Sequence, residues 1–190
     1  RIAKAGATLF EAGANAPITA GIKSGTDVVV AFYARTVSAE TSDGRGRIGV
    51  RFNQNVPPYS GFGDTTILIE KDWKLYQVAA KANISIPRGQ AVVGFQLSGA
   101  KQVLEIGQTI VASGTTSLTT KSGKAEQSAT TGILPQLQGK GKLISNPANK
   151  DWAVYGPGQT HQTVPSPNIP GTGGTALLVR TAAAAANAFD

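Results

Sequence analysis

The chain has no cysteine and no methionine. Without thiolates there is no disulfide framework and no thiolate metal site. Charge is sparse as well: 15% of the 190 residues are Asp, Glu, Lys or Arg, which is low for a cytoplasmic enzyme. Only 11 residues are acidic, and Asp27, Asp43, Asp64 and Asp72 sit beside turn signals. No two carboxylates form a spaced pair on one expected strand, as hydrolysis of a glycosidic bond would require. His161 is the single histidine; it lies in a Pro/Gly-rich stretch with no G-x-S-x-G elbow nearby, so no hydrolytic triad is legible. Gly171-Thr172-Gly173-Gly174 opens no helix with Lys-Ser/Thr and is therefore no phosphate loop. Long apolar runs are missing too. Nothing approaches the ~20 residues of a membrane helix, and the alanines of 182–186 are too few. These absences argue against an enzyme and against membrane insertion.

What the chain does have is glycine (23), proline (10) and a 41% hydrophobic fraction. That mixture suits exported β proteins, in which short strands alternate with Gly- and Pro-rich turns. The expected location is therefore secreted or cell-surface. The net charge is +7, but the basic residues are scattered singly. Their densest stretch, 121–142, is interleaved with Gly and Ser and reads as solvated linker. A nucleic-acid site needs a clustered basic stripe, so nucleic acid is not the expected partner. The first residue is Arg1, with no starting Met and no signal-like segment, which reads as a processed or excised piece.

Hydrophobic patterning predicts strands at 28–35, 47–54, 65–70, 73–78, 91–97 and 103–112. Residues 28–35 are β-branched, aromatic and apolar almost throughout, as a buried strand should be. In 47–54, Ile48, Val50 and Phe52 alternate with Arg47, Arg51 and Asn53. Trp73, Leu75 and Gln77 alternate with Lys74, Tyr76 and Val78. Residues 56–63 hold Pro57-Pro58 and read as a shaped loop carrying Tyr59 and Phe62. Residues 1–20 read as an Ala/Gly-rich lead, and 156–174 as a loop region. Short strands with turn signals at roughly 8–12-residue spacing predict an all-β, two-sheet antiparallel jelly-roll sandwich. Residues 1–112 form its main part. Residues 113–142 are a linker or surface-hugging connector. Residues 143–190, with Leu143-Ile144, Trp152-Ala153-Val154-Tyr155 and Ala176-Leu177-Leu178-Val179, supply the remaining strands of the same sandwich or of a neighbouring copy.

Four blocks carry a resemblance: Asp27-Val28-Val29-Val30-Ala31-Phe32-Tyr33-Ala34-Arg35; Val50-Arg51-Phe52-Asn53-Gln54-Asn55-Val56-Pro57-Pro58-Tyr59; Asp72-Trp73-Lys74-Leu75-Tyr76; and Gly94-Phe95-Gln96-Leu97 through Glu105-Ile106-Gly107. Together they resemble the family 4/9-type carbohydrate-binding modules, galactose-binding-like jelly rolls appended to polysaccharide hydrolases. The family's N-terminal features stand here at the C-terminus: Leu143-Ile144-Ser145-Asn146-Pro147, then Trp152, then the Gly-rich approach to Leu177. Circular permutation, a tandem array cut inside a module, and strand exchange between copies all give this layout; permutation is preferred. The family often carries Phe-Glu after the Asn-Pro, with the Glu helping to hold a structural calcium. Here Ala148-Asn149-Lys150-Asp151 follows instead. A calcium would have to draw on Glu105 and Asp151, and the expectation is no cofactor.

The resemblance implies a non-catalytic module that binds a polysaccharide on its concave sheet face. Sugar binding uses aromatic faces against pyranose rings and planar polar groups for hydroxyls. The candidates are Arg51, Asn53, Gln54, Tyr59, Phe62 and Gln96, with Tyr59 and Phe62 equally able to close one end of the sandwich. Trp73, Tyr76 and Trp152 read as structural. The aromatic content of 6% is lower than strong cellulose binders display. The alternative is a structural subunit of a self-assembling extracellular layer, filament or shell, whose partners are copies of itself.

Overall fold

A computed structural model of the chain describes residues 8–120, 137–138, 141–145, 152–156, 159–165 and 175–181. Among these residues a short 3-10 turn, Leu9–Glu11, precedes thirteen strands: β1 (Gly13–Pro17), β2 (Asp27–Ala39), β3 (Gly46–Gln54), β4 (Gly61–Ile69), β5 (Lys74–Lys81), β6 (Ala91–Gln96), β7 (Gln102–Ser113), β8 (Thr119–Thr120), β9 (Leu137–Gln138), β10 (Lys142–Leu143), β11 (Ala153–Tyr155), β12 (Gln159–Pro165) and β13 (Thr175–Thr181). The fold is a two-sheet antiparallel jelly-roll sandwich. One sheet runs β11-β1-β6-β3-β4 and the other β12-β13-β7-β2-β5, with β10 beside β7; β8 and β9 form a separate two-stranded ribbon. No helix among the described residues is long and apolar enough to cross a membrane.

Period-two alternation explains the layers. Val28, Val30, Phe32 and Ala34 of β2 face Ile48, Val50 and Phe52 of β3 and Val93 and Phe95 of β6 in one buried core. Phe32 meets Phe95 edge-on with ring centroids 4.9 Å apart, a favoured aromatic geometry. Residues from the C-terminal quarter enter the same core: Leu177 and Val179 are buried in it, and Trp152 lies 5.2 Å from Phe95. In register, β13 pairs with β7 (Leu177↔Ile106 to Thr181↔Gln102) and β11 with β1 (Gly13↔Tyr155). β10 returns the chain to the far end of β7 (Lys142↔Ser113).

A second, smaller cluster lies on the outer face of the six-stranded sheet: Val29, Ala31, Ile110 and Ala112, closed by Leu118. Two bonds pin Leu118 there. The Gln77 amide donates to Leu118 O and accepts from Leu118 N–H, each at 2.8 Å. The start of the connector therefore works as a strap over apolar sheet surface.

Three local readings are corrected. The lead 1–20 contains β1, a strand written Gly-Ala-Asn-Ala-Pro with no β-branched residue. The Pro-Pro loop ends sooner than the sequence implies, because β4 starts at Gly61. The stretch 156–174 contains β12, with His161 paired to Val179. The Asn146-Pro147 opening and the alanines of 182–186 lie outside the described residues.

At one end of the sandwich a buried amide joins the pieces. The last β3–β6 pair is Gly49↔Gln96, so Arg47, two residues further along β3, lies beyond the end of β6. Gln102 fills that gap. Its side chain accepts from Arg47 N–H at 2.7 Å and donates to Arg47 O at 2.8 Å and Leu97 O at 3.0 Å. It does what one more peptide unit of β6 would do. Gln102 N–H in turn donates to Thr181 Oγ1 at 3.1 Å, and that hydroxyl donates to Ala100 O at 2.7 Å.

Candidate functional site

The side chains that alternate away from the core cover the outer face of the five-stranded sheet. Register places them in rows across the strands. One row reads Tyr155, Gly13, Gln96, Gly49, Thr66. The next reads Ala153, Asn15, Gly94, Arg51, with Asp64 of β4 beyond, its Oδ1 3.5 Å from Arg51 Nη1. The third reads Pro17, Val92, Asn53, Gly61. Rows on one face of a sheet lie about 7 Å apart and strands about 4.8 Å apart.

Four of these positions are glycine, and their neighbours lie across them. A Cβ on Gly13 would stand 2.5 Å from the Tyr155 hydroxyl; on Gly49, 2.8 Å from Gln96 Oε1; on Gly61, 2.6 Å from Arg51 Nε. At the centre, a Cβ on Gly94 would stand 2.8 Å from Asn53 Oδ1 and 3.4 Å from Asn15 Oδ1. The face is thus surfaced by planar groups folded down over bare backbone. Gly94 forms the floor of a shallow recess over which the Asn53 and Asn15 Oδ1 atoms stand, with Arg51 its register partner on β3. Within it Asn53 has a fixed amide orientation, because its Nδ2 donates to Gln54 O at 2.7 Å. Its Oδ1 is therefore the acceptor turned to the floor. Arg51 Nε is a buried donor with no hydrogen-bond partner, an arrangement that ordinarily costs about 1–3 kcal/mol. Tyr155 is 36% exposed, and burial pushes its phenol above its ordinary pKa of 10.0. It is a neutral ring with an O–H at any physiological pH.

The structure therefore brings together three of the residues expected from sequence, Arg51, Asn53 and Gln96. Two others are corrected. Phe62 is 4% exposed and its ring stacks on Phe52 at 5.4 Å; a ring enclosed in the core has no face left for a sugar. Gln54 has the parity of Phe52, pairs with buried Ala91 and donates to the Gln90 side chain at 3.3 Å. It lies at the mouth of the sandwich instead of on the outer face. Tyr59 is 57% exposed, in the β3–β4 turn, with φ of 58°. By sheet order it stands at the corner diagonal to Tyr155.

Sequence reading missed Tyr155, Asn15 and Gly94. Tyr155 was findable: in 152–155, Trp152 and Val154 share one parity and pack on the core, which leaves Ala153 and Tyr155 for the other face. Asn15 carried no signal, because β1 itself was not legible.

The remaining candidates lie elsewhere. Glu105, on the opposite sheet, holds Arg35 Nε at 2.7 Å, and the Arg35 guanidinium sits 5.3 Å from the Trp73 ring centroid. Trp73 is therefore an outer-face residue, whereas Tyr76 packs on Phe32 and accepts from Glu70 N–H at 2.8 Å. Asp151 lies outside the described residues. Among the described residues no group of three or more His, Cys, Asp or Glu could hold a metal ion.

No protein-family model and no curated protein sequence matches the chain. Among solved structures it is similar to one described as "CBM4 structure and function", at 17% identity and a TM-score of 0.41, over 54% of this chain and 83% of that one.

Proposed function

We propose that the chain is a non-catalytic, secreted or cell-surface glycan-binding module that holds a polysaccharide on the outer face of its five-stranded sheet. The observation that supports this reading is the recess over Gly94. Hydroxyl-rich polymers need acceptors and donors at fixed spacing beside an apolar or aromatic contact. Asn53 Oδ1, Asn15 Oδ1 and Gln96 Oε1 supply acceptors, Arg51 supplies donors, and Tyr155 and Tyr59 stand at opposite corners. The only carboxylate in this set, Asp64, is ion-paired with Arg51. Such a set is equipped to hold hydroxyls and not to move protons. Polymer binding matches the jelly-roll resemblance carried by residues 27–35, 50–59, 72–76 and 94–107. On this reading residues 143–190 complete the module of residues 1–112 by circular permutation, and no cofactor is needed.

Gly94→Ala tests the reading. The added methyl would stand 2.8 Å from Asn53 Oδ1 and 3.4 Å from Asn15 Oδ1, so the Asn53 side chain must shift, and the fold should stand at a cost of about 1–2 kcal/mol. Retention on a glycan array should fall at least tenfold, and Tyr155→Ala should weaken it independently. A wild-type chain that retains no glycan, or a Gly94→Ala chain that retains its glycan undiminished, refutes the site.

A further inference from the structure

The four lateral edges of the sandwich differ in how they guard against further pairing. An exposed strand edge is a template for another chain, and natural edges are blunted by charge, shortness or irregularity. β5 carries Lys74 and Lys81. β4 contains Asp64 and a register break against β3 between Val50 and Phe52. β11 is three residues long. β12 has none of these devices until Pro165 at its end. It is seven residues long, reads Gln-Thr-His-Gln-Thr-Val-Pro, carries no Asp, Glu, Lys or Arg, and is exposed along most of its length. Among the described residues it pairs on one side only, with β13.

We propose that β12 pairs antiparallel with β12 of a second copy, about a two-fold axis at Gln162. The sequence is self-complementary in that register. Gln162 meets Gln162, Thr160 meets Val164, and His161 meets Thr163, so the contact contains no Asp, Glu, Lys or Arg. This matters because two chains of net charge +7 repel one another wherever their basic surfaces meet. An uncharged strip of backbone donors and acceptors is where they approach at least cost. The occupant is a second copy because the strand offers main-chain bonds along an edge without Asp, Glu, Lys or Arg, and the same edge of another copy meets it without like-charge repulsion.

The two-fold axis of such a pair is perpendicular to the sheet, so both copies keep the same side up. Their six-stranded sheets become continuous, and their Gly94 recesses face the same direction. On the glycan-binding reading above, a dimer would present two parallel sites to one polymer and gain avidity without a new contact. The pairing itself does not depend on that reading.

The absence of native cysteine makes the register testable. Directly opposite residues in an antiparallel pair have Cβ atoms about 4.5–5.5 Å apart, near disulfide reach. Gln162→Cys should therefore cross-link to its own copy under mild oxidation. Thr160→Cys should not, since residues 160 of the two copies would be offset by four positions, about 13 Å. Sedimentation equilibrium of the wild-type chain should show a concentration-dependent dimer that Gln162→Lys abolishes with no change in melting temperature. A wild-type chain that stays monomeric at all concentrations overturns the proposal. So does a dimer that survives Gln162→Lys, or equal cross-linking of the two cysteine variants. None of these results depends on whether any glycan is bound.

Discussion

Replacing Gln102 by Leu removes a side chain that is 2% exposed and replaces it with an apolar one of similar size. The hydrophobic exchange is favourable by itself, and volume-conserving core changes usually cost less than about 1.5 kcal/mol. The hydrogen bonds decide the sign. Arg47 N–H, Arg47 O and Leu97 O all lose the partner that stands in for the missing end of β6. Each orphaned buried group costs about 1–3 kcal/mol. Allowing for the gain from burying Leu, the net loss should be about 3–5 kcal/mol. For a chain of this size each kcal/mol moves the melting temperature by about 2–4 °C, so Gln102→Leu should melt roughly 6–20 °C lower. Calorimetry or a urea titration reads this directly. Gln54→Leu is the matched control: it removes the same amide from a half-buried site where its side chain donates to the Gln90 amide at 3.3 Å, and should shift stability by no more than about 0.5 kcal/mol. If Gln102→Leu costs less than about 1 kcal/mol, or no more than Gln54→Leu, Gln102 does not complete the β6 edge as described.

The two candidate aromatics of the β3–β4 region should separate cleanly. Phe62→Ala opens a cavity against Phe52 and should cost about 3–5 kcal/mol in chemical denaturation, whereas Tyr59→Ala should leave stability nearly unchanged; equal losses would place Tyr59 in the core. Asp43 should titrate near 2. The Arg45 backbone N–H donates to Asp43 Oδ1 at 3.0 Å, and the guanidinium sits 2.9 Å from Oδ2; together they hold the carboxyl at about 2, below its ordinary 3.8. Because the folded-state value is the lower one, its stabilising contribution is complete above about 4 and is lost as pH falls through about 2. A carboxyl NMR titration with a midpoint near 3.8 would contradict this.

Which elements could be read from the sequence followed from how much apolar surface each one buries. Residues 28–35, 47–54, 91–97 and 103–112 lie within about one residue of observed strands or inside them, because each lines the shared core and carries β-branched or aromatic side chains on the inner parity. β1 escaped notice for a packing reason. Its inward residues are Ala14 and Ala16, and Gly13 must be bare because the Tyr155 ring lies over it. Close packing there needs small residues, which leave no period in the sequence. β12 escaped for the opposite reason: it buries so little that no apolar pattern is required. The site was half legible. Arg51 and Asn53 alternate with core residues and could be assigned to an outer face. Asn15 of β1 and Tyr155 of β11 complete this face, and only strand order reveals them. Gln102 reads as the polar start of a strand, and nothing in its neighbourhood signals the backbone it caps.

The pairing of β13 with β7 and of β11 with β1 also sets the order in which this chain can become native during synthesis. By the time Ser113 is added, β1 to β7 are present, but one edge of β7 and one edge of β1 have no partner strand. The next 68 residues (181 − 113) must be made before β13 is complete, which takes roughly 3–14 s at typical elongation rates. Through that interval the inner faces of Leu104 and Ile106 lack the covering Leu177 and Val179, and two strand edges are open to any passing chain. Contacts spanning more than 140 positions, such as Gly13 with Tyr155, also place the loop-closure cost late and slow the search. A polypeptide with the same sandwich but with β10–β13 encoded ahead of β1 would close these edges as its strands emerged, and should refold faster and aggregate less at equal stability.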